Sequence, residues 1–328
     1  MAEEVWMLQT KKADFKQIGA RFRIDPVTAR IIRNRGIEGE AAIDRYLNGT
    51  LDDLYDPMLL KDMERAVSIL CEAVDTGKKI RIVGDYDIDG VCSTYILLQA
   101  FERLGSDVDF EIPDRIKDGY GINESIIEQA HADGVEVILT CDNGISAFHQ
   151  VELAKKYGMT VVITDHHEVP LDGEKEKIPP ADAVIDPKQA DCPYPFPEIC
   201  GAVVAYKLVQ VLYARRGVPK MEWLDLLEFA AIATVGDVMK LQDENRILVK
   251  YGLKKMAQTK NLGLRRLAEK NNLDLGAITA YHIGFVIGPC LNAGGRLKTA
   301  KEALALLRAQ SEEEVERLAE ELKELNDT

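Results

Sequence analysis

The segments GDYDIDG (84–90), CDNG (141–144) and TDHHEVP (164–170), together with Asp237 after LLEFAAIATVG (226–236), concentrate carboxylates and imidazoles at short spacings. Asp85, Asp87 and Asp89 alternate. Asp142 stands beside Asn143, and Asp165 opens an adjacent pair, His166 and His167, in a chain with only five histidines. Each stretch alone has an ordinary reading, because Asp and Asn before Gly are turn residues and a histidine can fill a satisfied interior position. As a set they do not, since like charges brought together repel unless a cation sits among them. Carboxylate oxygens with one or two imidazole nitrogens, and no thiolate, suit Mn2+ or Mg2+. Four to six such groups fit two ions about 3.5–4 Å apart, bridged by a shared carboxylate. Such a pair activates water and stabilises the attacking and leaving oxygens of a phosphoryl displacement.

These residues can meet only if the chain brings their segments to one edge. From residue 80 onward, short β-rich runs alternate with helical spacing, the pattern of a parallel sheet covered by helices. The reading is α/β, a five-stranded, mainly parallel sheet with flanking helices. Strands are predicted at Ile80–Val83, Val108–Ile112, Val135–Thr140, Val161–Thr164 and Ala183–Ile185, and helices at Val91–Leu104, Glu124–Ala132 and Ser146–Tyr157. The polar stretch 171–182 and the Pro-rich CPYPFPE (192–198) read as loops. After Cys200 the pattern is wholly helical, over about 200–215, 223–235, 244–258, 262–271, 276–282 and 299–326. Residues 1–79 form a helical lead-in, 80–240 the sheet domain and 241–328 a helical extension. In open parallel sheets ligands sit beyond the carboxyl ends of the strands, and three of the acidic segments directly follow a predicted strand.

The 328 residues are 46% hydrophobic, enough for a sizeable core. No apolar run approaches the ~20 residues of a membrane helix, and MAEEVWMLQTKKADF lacks a basic-then-apolar leader pattern, so a cytoplasmic location without membrane contact is expected. Six scattered cysteines without a C-x-x-C pair signal neither a disulfide framework nor a zinc knuckle. The net charge of −14 argues against a basic domain that coats nucleic acid. Much of that charge is local, since the last eighteen residues hold eight acids against two bases. Their apolar stripe, Val315, Leu318, Leu322 and Leu325, ends without a glycine cap or closing element, and the expectation is that a longer protein continues.

The ordered set RNRGI, YDPMLLKDMERAV (55–67), GDYDIDGVCST, GYGIN (119–123), CDNGISA, TDHHEVP, CGAVVAYKL, ATVGDVMKL and GPCLNAGGRL (288–297) resembles the DHH phosphoesterases. Within them the likeness is to the bacterial exonucleases specific for single-stranded DNA. The resemblance implies that residues 80–240 are the catalytic domain, with a centre of two Mn2+ (or Mg2+) ions held by Asp85, Asp87, Asp89, Asp142, His166 and Asp237. It makes Asp142 the bridge and Asp85 the substitute for a histidine that relatives carry where this chain has Val83. It sets His167 against the scissile phosphate, with Asp165 behind it. Asn143, Tyr120, Asn292 and Arg296 become substrate-binding candidates, the last two as holders of a DNA phosphate where glycines allow close backbone approach; the ordinary reading of that stretch is a glycine-rich turn with a solvated Arg. The implied reaction is hydrolysis from the 5′ end of single-stranded DNA, releasing 5′-mononucleotides, by a monomer acting beside repair or replication proteins. It also implies further domains beyond residue 328. Two alternatives stay open: a family member acting on short oligoribonucleotides or cyclic dinucleotides, and a non-catalytic binding protein of the same fold.

Overall fold

The computed structural model describes residues 7, 11–114, 119, 121–297 and 299–328, the side chains of Arg296 and Leu297 excepted. Strands β1 (Ile80–Val83), β2 (Val108–Glu111), β3 (Val137–Cys141) and β4 (Thr160–Thr164) are followed by a small antiparallel hairpin, β5 (Leu171–Asp172) and β6 (Lys175–Glu176), and by β7 (Ala183–Ile185). The main sheet has the order β2-β1-β3-β4-β7, and every pairing in it is parallel. All five expected strands are present; the hairpin lies where only a loop was expected.

Helices α1 (Phe15–Phe22), α2 (Pro26–Asn34), α3 (Glu40–Asn48) and α4 (Met63–Thr76) precede the sheet. Between its strands run α5 (Ile88–Arg103), α6 (Glu124–Ala132) and α7 (Phe148–Lys156). After it come α8 (Gly201–Arg215), α9 (Lys220–Leu224), α10 (Leu227–Gly236), α11 (Asp243–Met256), α12 (Leu262–Lys270) and the single turn α13 (Ala280–His282). A π-helical segment, Ile283–Ile287, leads into α14 (Gly288–Leu297), followed by α15 (Lys301–Arg308) and α16 (Glu312–Asp327). Among the described residues no helix is long and apolar enough to cross a membrane.

Strand alternation divides the core between two layers. Ile80, Ile82, Leu139, Cys141, Val162 and Ile185 join α4, α5 and α8 on one face. Val83, Ile138, Val161, Ile163 and Val184 meet α6 and α7 on the other. The first layer continues without a break from Leu60 to Leu322, whereas α2 and α3 gather a small separate cluster around Ile32, Ile43 and Tyr46.

Several expectations are corrected. The long helix read over 299–326 breaks at Ala309, where the backbone turns extended and Ser311 caps α16 through the Glu314 N–H. The stripe Val315, Leu318 and Leu322 is not open; it is buried where α16 packs against α12, α14 and α15. GPCLNAGGRL is helical rather than a turn. Pro289 falls in the first turn of α14, directly after the π-helical segment. Gly295 is needed for close approach, since a Cβ there would stand 2.4 Å from the Tyr86 carbonyl oxygen.

Candidate metal centre

Strands β1 and β3 are neighbours, yet β1 leads outward to β2 and β3 leads the other way to β4, which makes their carboxyl ends the switch point of the sheet. The segment after β1 carries Asp85, Asp87 and Asp89, and the residue after β3 is Asp142. Asp165 and His166 follow β4, and Asp237 arrives from the C-terminal end of α10. Ligand atoms of Asp85, Asp87 and Asp142 lie within 4.8 Å of one another, and so do those of Asp89, His166 and Asp237. The two groups touch: His166 Nε2 is 3.1 Å from Asp142 Oδ1, 3.4 Å from Asp89 Oδ2 and 3.8 Å from Asp237 Oδ2. The structure thus brings together all six expected ligand positions. Hard oxygen donors with one imidazole fit Mn2+ or Mg2+.

Local backbone chemistry fixes each group. Asp87 caps α5, accepting the N–H groups of Asp89 (2.9 Å) and Gly90 (3.1 Å). Asp89 takes the first two N–H groups of α8, from Gly201 and Ala202, both at 2.7 Å. That contact seats the positive end of the helix on the acid cluster. Gly201 also lets α8 come this close, because a Cβ there would stand 2.7 Å from that of Asp142. Asp142 itself adopts the left-handed backbone, φ 60°.

Burial without enough countercharge governs the titration. Burial, and then Asp87, push Asp85 up to about 7. Burial, followed by Asp89 and Asp87, pushes Asp237 up to about 7 as well. Asp142 is held well above the ordinary carboxylate range by burial and then by Asp89 and Asp87. Burial lowers His166, which favours the neutral ring that can bind a metal, and its Nδ1 has no hydrogen-bond partner among the described residues.

Asp165 differs from the other acids. Burial pushes it up, but the hydrogen bond from His167 and that imidazolium's charge outweigh burial and leave it lowered. Its Oδ1 receives His167 Nδ1 and the His166 N–H, both at 2.7 Å, and its Oδ2 the Ile145 N–H at 2.8 Å. For His167 burial acts downward, yet Asp165 prevails and raises it to about 9. The ring remains 43% exposed, and a nitrogen of it lies within 4.8 Å of ligand atoms of Asp142 and His166.

Of the expected substrate-binding residues, Asn143 has another job. Its Nδ2 donates to the carbonyls of Val83 (3.0 Å) and Cys141 (2.9 Å), and its Oδ1 accepts the Ile122 N–H (3.2 Å). Both amide hydrogens are committed to bracing β1, β3 and the 121–122 loop. Asn292 borders a cavity of about 320 Å3 together with Asp87, Ile88, Gly236 and Asp237. Tyr120 and the side chain of Arg296 lie outside the described residues.

Two neighbours escaped the sequence reading. Asp186, directly after β7, is fully buried, with Oδ1 on the Lys188 N–H and Oδ2 without a partner among the described residues. Burial, then Asp165, pushes it up to about 7. Lys188 adds a cation whose field reaches both His166 and Asp237. The signal was available, since Asp186 occupies the same strand-end position that exposed the other acids.

Residues 79–234 match the model of the DHH family, N-terminal domain. The chain is 37% identical over 322 residues to the single-stranded-DNA-specific exonuclease RecJ of Bacillus subtilis, covering 98% of this chain and 40% of that one. It is 37% identical over 320 residues to the protein of the same name from Haemophilus influenzae, covering 95% and 54%. It aligns with a crystal structure of RecJ in complex with Mn2+ from Thermus thermophilus at a TM-score of 0.78 and 31% identity, over 95% of this chain and 43% of that one. The chain therefore spans about half the length of the curated relatives it matches.

Proposed function

The chain belongs to the DHH family, and from that premise we propose that it is the catalytic core of a metal-dependent exonuclease acting 5′→3′ on single-stranded DNA in recombination and repair, releasing 5′-mononucleotides. In this reading residues 80–240 are the catalytic domain, 1–79 its helical lead-in and 241–328 a helical extension. The protein works in the cytoplasm as a monomer, beside repair or replication proteins. The observation that carries the reading is the pair of ligand groups, Asp85/Asp87/Asp142 and Asp89/His166/Asp237, meeting at His166 and Asp142. Each group would hold one Mn2+ or Mg2+, with Asp142 positioned to serve both. Bound there, the ions would supply an activated water and offset charge on the phosphate oxygens.

The chain's own residues supply the rest. Asp165 accepts the Nδ1 hydrogen of His167 and holds the ring beside the acids, where it would face the phosphate. Lys188 adds positive charge nearby. Asn143 holds the two central strand ends in register, so that Asp85 and Asp142 keep their separation.

The test is Mn2+-dependent hydrolysis by this chain of 5′-phosphorylated single-stranded DNA, offered beside short RNA and cyclic dinucleotides, with Asp87→Ala as control. Mononucleotides released from the DNA 5′ end, and lost in the variant, are expected. Cleavage of the small substrates alone would replace the reading with the oligonucleotide or cyclic-dinucleotide alternative. Metal binding without any cleavage would favour the binding-protein alternative.

A further inference from the structure

We propose that Tyr281 and Phe285 form a stacking platform for the bases of the substrate strand just outside the metal cleft; this rests on the nuclease reading above. The two rings are stacked, with centroids 4.8 Å apart and planes at 28°, yet they are 64% and 71% exposed. Large apolar groups that pair with each other in open water, instead of burying themselves, are available to a third flat partner.

Their placement ties them to the cleft. Both rings sit on the continuous helical run from α13 through the π segment into α14. Its inner face is held on α10 and α5, since a Cβ at Gly284 would lie 3.6 Å from Val235 of α10 and one at Gly288 3.4 Å from Ile88 of α5. Seven residues beyond Phe285, roughly 10 Å along a helix, Asn292 borders the cavity shared with Asp87 and Asp237. The π-helical turn beneath Phe285 is a rare form that recurs at functional sites. Val238, the residue after Asp237, is 87% exposed and left-handed at φ 57°, a costly conformation for a β-branched residue.

Charge selects the occupant. With a net charge of −14 and a centre built from carboxylates, the chain offers a polyanion little general attraction. Base stacking does not depend on phosphate charge and tolerates any sequence, because every base has a π face. A strand threading its end toward the metals would lay its following bases over Tyr281 and Phe285.

The experiment compares the chain with its Tyr281→Ser/Phe285→Ser double variant, in Mn2+, on three probes: a short single-stranded phosphorothioate oligodeoxynucleotide, an abasic strand of equal length, and bis(p-nitrophenyl) phosphate. The variant should bind the base-containing strand about tenfold more weakly and the abasic strand equally well, with diester hydrolysis unchanged. Tyr281→Phe/Phe285→Tyr, which preserves both rings, should restore the affinity. Equal loss on both strands, no loss on either, or a changed sedimentation mass in the variant would overturn the platform; the last would make the rings an interface between copies. Failure of the nuclease reading looks different: the unaltered chain would then hydrolyse neither the diester nor a natural DNA strand, and both conclusions would fall together.

Discussion

Lys207 on α8 and Glu244 on α11 are as deeply buried as the acids at the strand ends, but their charges cancel within the chain. Lys207 Nζ lies 3.1 Å from Glu244 Oε2, with side-chain exposures of 1% and 0%. The same ammonium donates to the Tyr55 carbonyl at 3.1 Å, and Tyr194 Oη donates to Glu244 Oε1. Burial pulls Lys207 down, while Glu244 works against that pull. At the candidate metal centre five carboxylates surround one imidazole that burial keeps neutral, and four of them, Asp85, Asp87, Asp142 and Asp237, are driven upward. One region has its countercharge built in and needs nothing more. The other is short of positive charge, and that deficit marks where cations belong.

The largest effect expected from this contrast is on stability. Lys207→Met should cost about 3–5 kcal/mol, because it leaves a buried carboxylate without its countercharge. Asp142→Asn should do the reverse in metal-free protein: by removing one of several repelling charges, it should leave the melting temperature equal or higher while abolishing the upward shift that Mn2+ causes. Thermal melts with EDTA and with Mn2+ check both. A tolerant Lys207→Met, or an Asp142→Asn that melts several degrees lower without metal, would erase the distinction between the two regions.

The next effect separates His167 from the acids around it. Its Nδ1 is taken by Asp165, so His167→Ala should leave Mn2+ stoichiometry intact while slowing hydrolysis by about a hundredfold, the low end for losing a positioned proton donor. Asp165→Asn should lower the upper pH limit of activity, because His167 would lose the partner that raises it to about 9. Loss of bound metal in His167→Ala would move it among the ligands instead.

That these acids gather at one sheet edge was legible in sequence because a general rule about strand ends applies to them one residue at a time. Asp186 obeys the same rule but was passed over, since β7 is three residues long and Asp186-Pro187 reads as a plain turn. Asn143 was assigned to substrate because nothing local reveals that its amide spans two strands. Pro and Gly made GPCLNAGGRL look like a turn, whereas Pro289 lies in the first turn of α14 and Gly295 serves contact with Tyr86. Lys207 stands out within GAVVAYKLVQVLY, yet its partner lies 37 residues away, and only the folded chain names it.

The smallest and most discriminating effect is in the pH dependence of metal-free protein. Asp85 and Asp237 titrate near 7 in the fold, against 3.8 ordinarily. Between those values the folded chain binds more protons than the unfolded one, so these groups make stability fall as pH rises through the window. Other acids slope the opposite way: Asp109 lies below its usual range because Arg81 outweighs its burial, and it contributes stability above that range. The informative quantity is therefore a difference. Asp85→Asn should match the unaltered chain near pH 4 and become progressively more stable than it toward pH 8, where the native carboxylate is forced to ionise among its neighbours. Saturating Mn2+ should cancel that advantage, because the ions need the deprotonated ligand and supply the countercharge the chain lacks. A Lys207→Met background should leave the difference unchanged, since that pair lies in a separate network. If Asp85→Asn is instead less stable at every pH, the strand-end acids are ordinary caps, and the deficit of positive charge does not mark a metal site.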